Sequence, residues 1–445
     1  MLKDKRKDII EYVKKHSSFL KRNAEALDIY DGNLLPYVDA IMQATVSPQY
    51  YEKIKERILP INIIQRFVDK VSTAYEKEPT RESENKRVQE FVNFYKEQFK
   101  MSVSGQIADQ YTNLFKGYAW EPYINSKGQP QLRELSFDKF LVMSDSRVNP
   151  EDETIFIKLM GYSSSDENSL LLFVYTDTEF DAFYLNGVEA SEFLEESQGV
   201  NLIGTIPFVY GKRQKNKLIP TQDTDMLSIG KTISVMMSDA AGAQLFQCFS
   251  LIYGVDVNSE NLILAPNAFW SFKSDNEKKP EIGTIKPEAD TEKVLSFVMN
   301  VFILWLETKG VRIGSMGSLA GGNLASGISK VIDEMDVYNL KKKSMEWFEK
   351  DEQELWNEKM PKIHNYWIQS GLVDPEIVPP IINDVMDVVV EFPKIEPMIS
   401  RTEELANFKA ELELKTITRE YVIRKLHPDF SNDMVAEVLA GAEMV

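Results

Sequence analysis

The chain has little of what catalytic and metal sites are usually built from. Its 445 residues include one cysteine and three histidines. The single thiol, Cys248, excludes an internal disulfide and suits a reducing compartment or one indifferent to redox. It reads as a packed thiol on an apolar helix. His16, His364 and His427 stand far apart, without the short spacings of metal ligands. His427-Pro428-Asp429 reads as a turn between two small helices. No phosphate loop is present. Gly317 and Gly322 have the right separation, but Asn323-Leu324 stands where GxxxxGK[ST] needs Lys-Ser/Thr, and a helix rather than a strand precedes it. The most apolar stretch, 294–306 (VLSFVMNVFILWL), is about 13 residues, short of the roughly 20 that span a membrane. The charged start MLKDKRKDII has no apolar segment behind it, so no secretion signal is expected. The expectation is a protein that is not an enzyme, with no cofactor, no bound metal and no membrane partner.

Basic charge is also scarce: 51 Lys and Arg against 69 Asp and Glu, a net −18. Such a surface repels phosphate, so sequence-independent DNA binding over the general surface is not expected. Hydrophobic residues at 43%, with 24 Phe, supply real cores and exclude an acidic disordered chain. The length suits roughly two to four domains. Acidic groups gather in the loop 145–153 (Asp145, Glu151, Asp152, Glu153) and at Asp333, Glu334 and Asp336. Each reads as a solvated surface, with a cation site as the alternative.

What is present is a change of period along the chain, giving an α+β fold that is predominantly helical. Residues 1–115 read as helices. An opening helix carries Ile9, Ile10, Val13 and Phe19, and a second begins after Ser47-Pro48. Segment 61–76 places Ile64, Phe67, Val68, Val71 and Tyr75 on one face, and 82–99 turns Val88, Phe91, Val92 and Tyr95 inward. Short β-rich segments follow at 118–124, 131–135, 139–143, 154–160, 169–175 and 180–185. Turn residues separate them, which predicts an antiparallel meander. A basic loop (Lys212, Arg213, Lys215, Lys217) then leads into a helix ending near Phe249, whose small residues 238–243 admit a close neighbour.

Short strands are expected over 251–286, and Asp290 caps a returning apolar helix. On that helix Val298, Phe302 and Trp305 share a face, and at least one should be buried between helices. The segment 310–327 (GVRIGSMGSLAGGNLASG) has six glycines. From Ile328 a helical stripe, broken by Lys342 and Glu352, runs without Gly or Pro to Pro361. About 33 residues at about 1.5 Å each make a rod near 50 Å. Glu346–Lys350 and Glu358–Lys362 have favourable helical spacing. Pro361 should kink or restart the helix, and Gly371 can end it. Segment 387–393 looks like a strand returning to the earlier sheet. Helices follow at 401–415, at 418–426 capped by Thr418, and at 431–443 capped by Ser431.

In order and in local pattern these segments resemble the portal (head-tail connector) proteins of tailed bacteriophages. The resemblance runs through INIIQRFVDKVSTAYEKEP (61–79), FDKFLVMSD (137–145), IPFVYGK (206–212), the helix 222–249 and the tip 250–287. It continues through the apolar helix 290–309, GGNLASGISKVIDEMD (321–336), the strand near 390 and LELKTITREYVIRKL (412–426). It covers nearly the whole chain and rests on the order of elements.

The resemblance implies a ring, most often of twelve subunits, at one capsid vertex of the virion, assembled in the host cytoplasm. Double-stranded DNA would pass through its channel during packaging and ejection. The partners implied are the terminase large subunit, a head-tail adaptor protein and the major capsid or scaffolding protein. The wing would be 1–220, helical over 1–115 and antiparallel β over 116–210. Residues 221–249 and 290–309 would be the two stem helices, 250–289 the clip and 310–327 the tunnel loop. The long wing or spine helix would be 328–371, the wing return strand 372–396 and a short helical crown 397–445. Arg312, Ser315, Met316, Ser318 and Asn323 would face the channel, touching a DNA backbone without reading bases. The alternatives are another virion structural or adaptor protein, a cytosolic helical scaffold, and an enzyme with an acidic metal site.

Overall fold

A computed structural model describes residues 2–161, 170–195, 197–221, 223–247, 251–255, 281–285, 291–311, 327–393, 401–414 and 416–426, with helical fragments at 434–435 and 438–439. Two units emerge: Met1–Gly310 with Leu340–Pro393, and Val311–Asn339 with Lys394–Val445. The first unit opens with helices α1 (Leu2–Lys15), α2 (Ser17–Tyr30), α3 (Leu35–Thr45) and α4 (Pro48–Ile54). The expected single opening helix is therefore two, divided at His16 (φ −96°, ψ 9°). Neither Gly nor Pro marks that break. At α4 the Tyr50 amide donates to Ser47 Oγ at 3.3 Å, and Pro48 fits the first turn.

Helix α5 (Ile63–Val71) buries Ile64, Phe67, Val68 and Val71. Strand β1 (Thr80–Glu82) precedes α6 (Lys86–Phe99), which buries Val88, Phe91, Val92 and Tyr95. Lys100, at φ 49°, turns the chain directly into α7 (Met101–Phe115). The helix expected over 82–99 thus yields its first residue to a strand.

Next come β2 (Gly117–Ile124), β3 (Pro130–Leu135), β4 (Phe140–Met143), β5 (Ile155–Met160), β6 (Leu171–Tyr175), β7 (Phe180–Tyr184) and β8 (Val209–Lys212). Every expected strand forms, but not as one meander. Strands β4 to β7 make one antiparallel sheet in sequence order, while β3, β2 and β8 make another. The chain leaves the second of these at Ser136–Lys139, where the Lys139 amide closes a turn on the Ser136 carbonyl. β8 then returns to pair Tyr118 with Gly211 and Trp120 with Val209. Helices α1 and α2 cover one face of the four-stranded sheet, placing Ile9, Val13 and Leu20 against Ile157, Leu172 and Phe183.

The remaining elements are α8 (Thr224–Gln247), β9 (Leu251–Val255), β10 (Glu281–Ile285), α9 (Thr291–Thr308) and α10 (Gly327–Glu354). After α10 come a π-turn at Leu355–Lys359, α11 (Met360–Gln369) and β11 (Val389–Glu391). Helices α12 (Arg401–Glu413) and α13 (Arg419–Leu426) belong to the second unit. Helix α10 starts in the second unit and continues into the first from Leu340. Pro361 lacks the N–H that an unbroken α-helix would use, and the π-turn changes the register ahead of it. There the Met360 amide bonds to the Leu355 carbonyl, and Pro361 falls in the first turn of α11. Gly371, at φ 69°, ends the helix, with the Leu372 amide reaching the Trp367 carbonyl at 2.9 Å.

Two expectations about this region are corrected. β11 does not rejoin the earlier sheet but pairs with β1, Val390 opposite Arg81. The spaced charges on the long helix also take other partners. Lys350 Nζ lies 5.5 Å from the centroid of the Trp347 ring, and Lys362 Nζ donates to the Gly204 carbonyl at 3.4 Å. Thr418 caps α13 as expected, its Oγ1 accepting from the Tyr421 amide. The proposed caps Asp290 and Ser431 lie outside the described residues.

Candidate functional site

The feature that organises the first unit beyond its core is a helical hairpin. Helices α8 and α9 lie against one another, and the chain between them contains the antiparallel ribbon β9–β10, with Leu251 opposite Ile285 and Val255 opposite Glu281. A two-stranded ribbon is marginal alone in water; here it falls in the chain between two helices that pack on each other.

The root of the hairpin is held by charge and aromatic packing. Lys309 Nζ is 3.0 Å from Asp223 and 2.9 Å from Asp225, and Lys116 Nζ is 2.9 Å from Asp223. Burial works against the Asp223 carboxylate, but the two ammonium groups outweigh it and hold its pKa below the usual range. Trp305 Nε1 donates to Asp225 Oδ2 at 3.0 Å. Its ring stands 4.9 Å from that of Phe67 and is stacked with Phe302 at 6.0 Å. Val298, Phe302 and Trp305 are all buried, on the face that also holds Leu306.

The small residues of α8 serve the chain's own wall. Ser238 Oγ accepts from the Leu59 amide at 2.9 Å and Ser234 Oγ from the Ile61 amide at 3.1 Å. A Cβ at Gly230 would come within 2.6 Å of Ile64 Cδ1. The segment leading into α5 therefore runs directly along α8. Its two amides, which no helix satisfies, are bonded by the serines.

The opposite face of α9 is exposed and carries two large apolar groups among polar ones, Asn300 and Glu307. Phe297 is 56% exposed and Leu304 64%. At about 100° per residue these two, seven apart, share a face nearly opposite Phe302. Large exposed apolar groups aligned on one helix mark a contact surface more often than isolated ones do.

The segment 312–326, with Arg312, Ser315, Met316, Ser318 and Asn323, lies outside the described residues, as do Cys248 and His427. The acidic loop is tied into the fold. Asp145 pairs with Lys5 at 2.5 Å and accepts from Thr154 Oγ1, and Glu153 pairs with Lys212 at 3.2 Å. Among the described residues no group of three or more His, Cys, Asp or Glu has a metal-binding arrangement. His364 is buried in the core, its Nδ1 2.6 Å from Tyr95 Oη, and burial lowers its pKa. A cleft of about 630 Å³ opens beside the π-turn, lined by Glu153, Asp177, Tyr210, Glu354 and Lys359 among others. Three of its carboxylates are engaged, Glu354 with Lys359 at 3.4 Å, Asp177 with the Ile206 amide at 3.0 Å and Glu153 with Lys212. No described helix is long and apolar enough to cross a membrane.

Sequence reasoning missed the polar heart of the first unit. Glu352, fully buried, accepts Arg81 Nε at 2.5 Å and Nη2 at 2.8 Å, Tyr75 Oη at 2.8 Å and Trp356 Nε1 at 3.1 Å. The one visible signal was Glu352 interrupting the apolar stripe of the long helix. No protein-family model matches this chain, and no curated protein matches it.

Proposed function

We propose that the protein is a structural ring component through which double-stranded DNA passes, a portal of the tailed-phage type. The observation that carries the reading is the pair of large apolar side chains exposed on the outer side of α9. Phe297 and Leu304 point away from the packed side of a hairpin whose own root is already filled. A second copy of the chain is the occupant that this repeats for every subunit. Contacts of one face against a different face close into a ring when the rotation closes, and otherwise make filaments.

The order of elements supports the same reading. The hairpin with its β-ribbon, the glycine-rich segment and the long α10 follow one another as stem, clip, tunnel loop and spine would. The net charge of −18 suits a lumen along which DNA slides without adhering. In this reading a separate terminase supplies the motor, and a head-tail adaptor and the capsid or scaffolding protein bind the outer surfaces. The test is electron microscopy and light scattering of the full-length protein at micromolar concentration. Closed rings, twelvefold by the family resemblance, are expected. A monodisperse monomer of 51.1 kDa under conditions that preserve the fold refutes the proposal. Open filaments refute the closed channel while leaving the outer side of α9 an assembly surface.

A further inference from the structure

Two consecutive acids of the long helix, Asp351 and Glu352, are both buried, and their surroundings differ. Glu352 has donors on both oxygens. Asp351, about 100° around the helix, receives the Tyr118 hydroxyl on Oδ2 at 2.9 Å. Close by, just beyond β8, lies Arg213. Its guanidinium carbon is 4.4 Å from the centroid of the Phe348 ring. Its Nε, Nη1 and Nη2 are buried and have no hydrogen-bond acceptor. Strand β8 itself approaches the carboxylate closely, since a Cβ at Gly211 would stand 2.7 Å from Asp351 Oδ2. A buried guanidinium without acceptors is costly, and a carboxyl group with spare acceptor capacity shares its site.

We infer that Arg213 and Asp351 form a proton-dependent latch between β8 and the long helix. With Asp351 protonated, Arg213 rests on Phe348 as described. With Asp351 ionised, the guanidinium leaves the ring and pairs with the carboxylate, drawing the end of β8 onto α10. The proton released goes to solvent, and no other group is consumed. The latch stands independently of the channel reading.

The groups facing Asp351 set its response. Burial pushes its carboxyl up to about 7. Arg213 and the Tyr118 hydroxyl oppose that rise, while Glu354 on its own helix and Glu153 from the loop before β5 add to it. Tyr75, from the turn before β1, also feels its charge. The folded carboxyl thus holds a proton that the unfolded one, at 3.8, has released. This group's stabilisation is full below that value and is lost as pH rises toward about 7. Asp109, buried and pushed up to about 6, slopes the same way, so stability alone does not separate them.

The test is infrared titration of the full-length protein, following the carbonyl band of a protonated carboxylic acid. A band that vanishes with a midpoint near pH 7 is expected, lost in Asp351→Asn and kept in Asp109→Asn. In Arg213→Met the midpoint should rise by about one pH unit, a tenfold change in acidity, because the opposing cation is gone. That variant also carries the test should Asp351→Asn fail to fold. The double-mutant cycle of the two substitutions, read by thermal midpoint, should show coupling at about pH 8.5 and none at about pH 5.5. A component with a midpoint near pH 7 that persists in Asp351→Asn, an unmoved midpoint in Arg213→Met, or equal coupling at both pH values overturns the latch.

Discussion

Two phenylalanines five residues apart on α9 separate folding from assembly. Phe302 is 5% exposed and stacked with Trp305, whereas Phe297 is 56% exposed on the far face. Truncating a buried Phe costs about 3–5 kcal/mol. Placing a carboxylate in that site adds several more, because Val298 and Trp305 offer it no cation. The sum approaches the whole stability of a typical domain, about 5–15 kcal/mol. Phe302→Asp should therefore unfold the hairpin root or the first unit as a whole. Phe297→Asp loses little burial within one chain, and its effect on the monomer should stay within about 0.5 kcal/mol.

The assay reads both quantities on the same samples: a thermal midpoint for folding, and mass photometry with negative-stain microscopy for assembly. Phe297→Asp should keep the wild-type midpoint of the dissociated chain and lose rings. Phe302→Asp should lose the midpoint first, and Phe302→Leu should restore most of both. If Phe297→Asp assembles normally, the outer face of α9 is not the contact surface. If it destabilises the dissociated chain as much as Phe302→Asp, the division into packed and free faces is wrong.

Glu352→Ala leaves Arg81, whose side chain is 1% exposed, without its two-bond partner, and should cost about 3–5 kcal/mol in chemical denaturation. Adding Arg81→Met should recover only a fraction of that loss, since the Tyr75 hydroxyl and Trp356 N–H remain unpaired. His364 gives a pH effect opposite in sign to that of Asp351. Burial lowers its folded pKa below the ordinary 6.5, so its stabilisation is full above that value and is lost as pH falls toward the folded pKa. His364→Asn should flatten that acid-side loss in thermal midpoints taken at about pH 7.5 and 5.5. Replacing 312–326 by a brief Gly-Ser connector should leave rings intact and impair DNA packaging or retention. Unimpaired packaging and retention in a phage complementation assay would remove the channel-facing role expected of that segment.

What was legible in the sequence is what depends on neighbours along the chain. The strands from β2 to β7 fall within two residues of their expected starts, because alternation and turn residues are local signals. The inward face of α5 and the stop at Gly371 were readable for the same reason. Sheet membership was not. β2 takes β8 as a partner from some 90 residues away, and β1 takes β11 across about 310. Strands this short carry no register signal strong enough to name a distant partner. The break at His16 was hidden because the apolar periodicity continues on both sides of it. The buried pair Arg81–Glu352 was half visible: the acid stood out against an apolar stripe, but nothing in the sequence linked it to an arginine 271 positions earlier.

The hairpin shows why composition alone could not locate an assembly surface. Two of its features invited a neighbour: the small residues of α8 and the nearly continuous apolar run of α9. Of the small residues 238–243, Ser238 bonds the Leu59 amide and a Cβ at Gly242 would stand 2.7 Å from Tyr50 Oη, so the chain itself takes up that space, as it does earlier on the helix at Gly230 and Ser234. Part of the apolar run is likewise consumed, with Val298, Phe302, Trp305 and Leu306 buried. A helix enclosed on one side by its own chain would ordinarily be polar on the other. On α9 that other side carries Phe297 and Leu304. These two exposed side chains, rather than the total hydrophobicity of 294–306, are what ask for a partner, and they can be changed without touching the core.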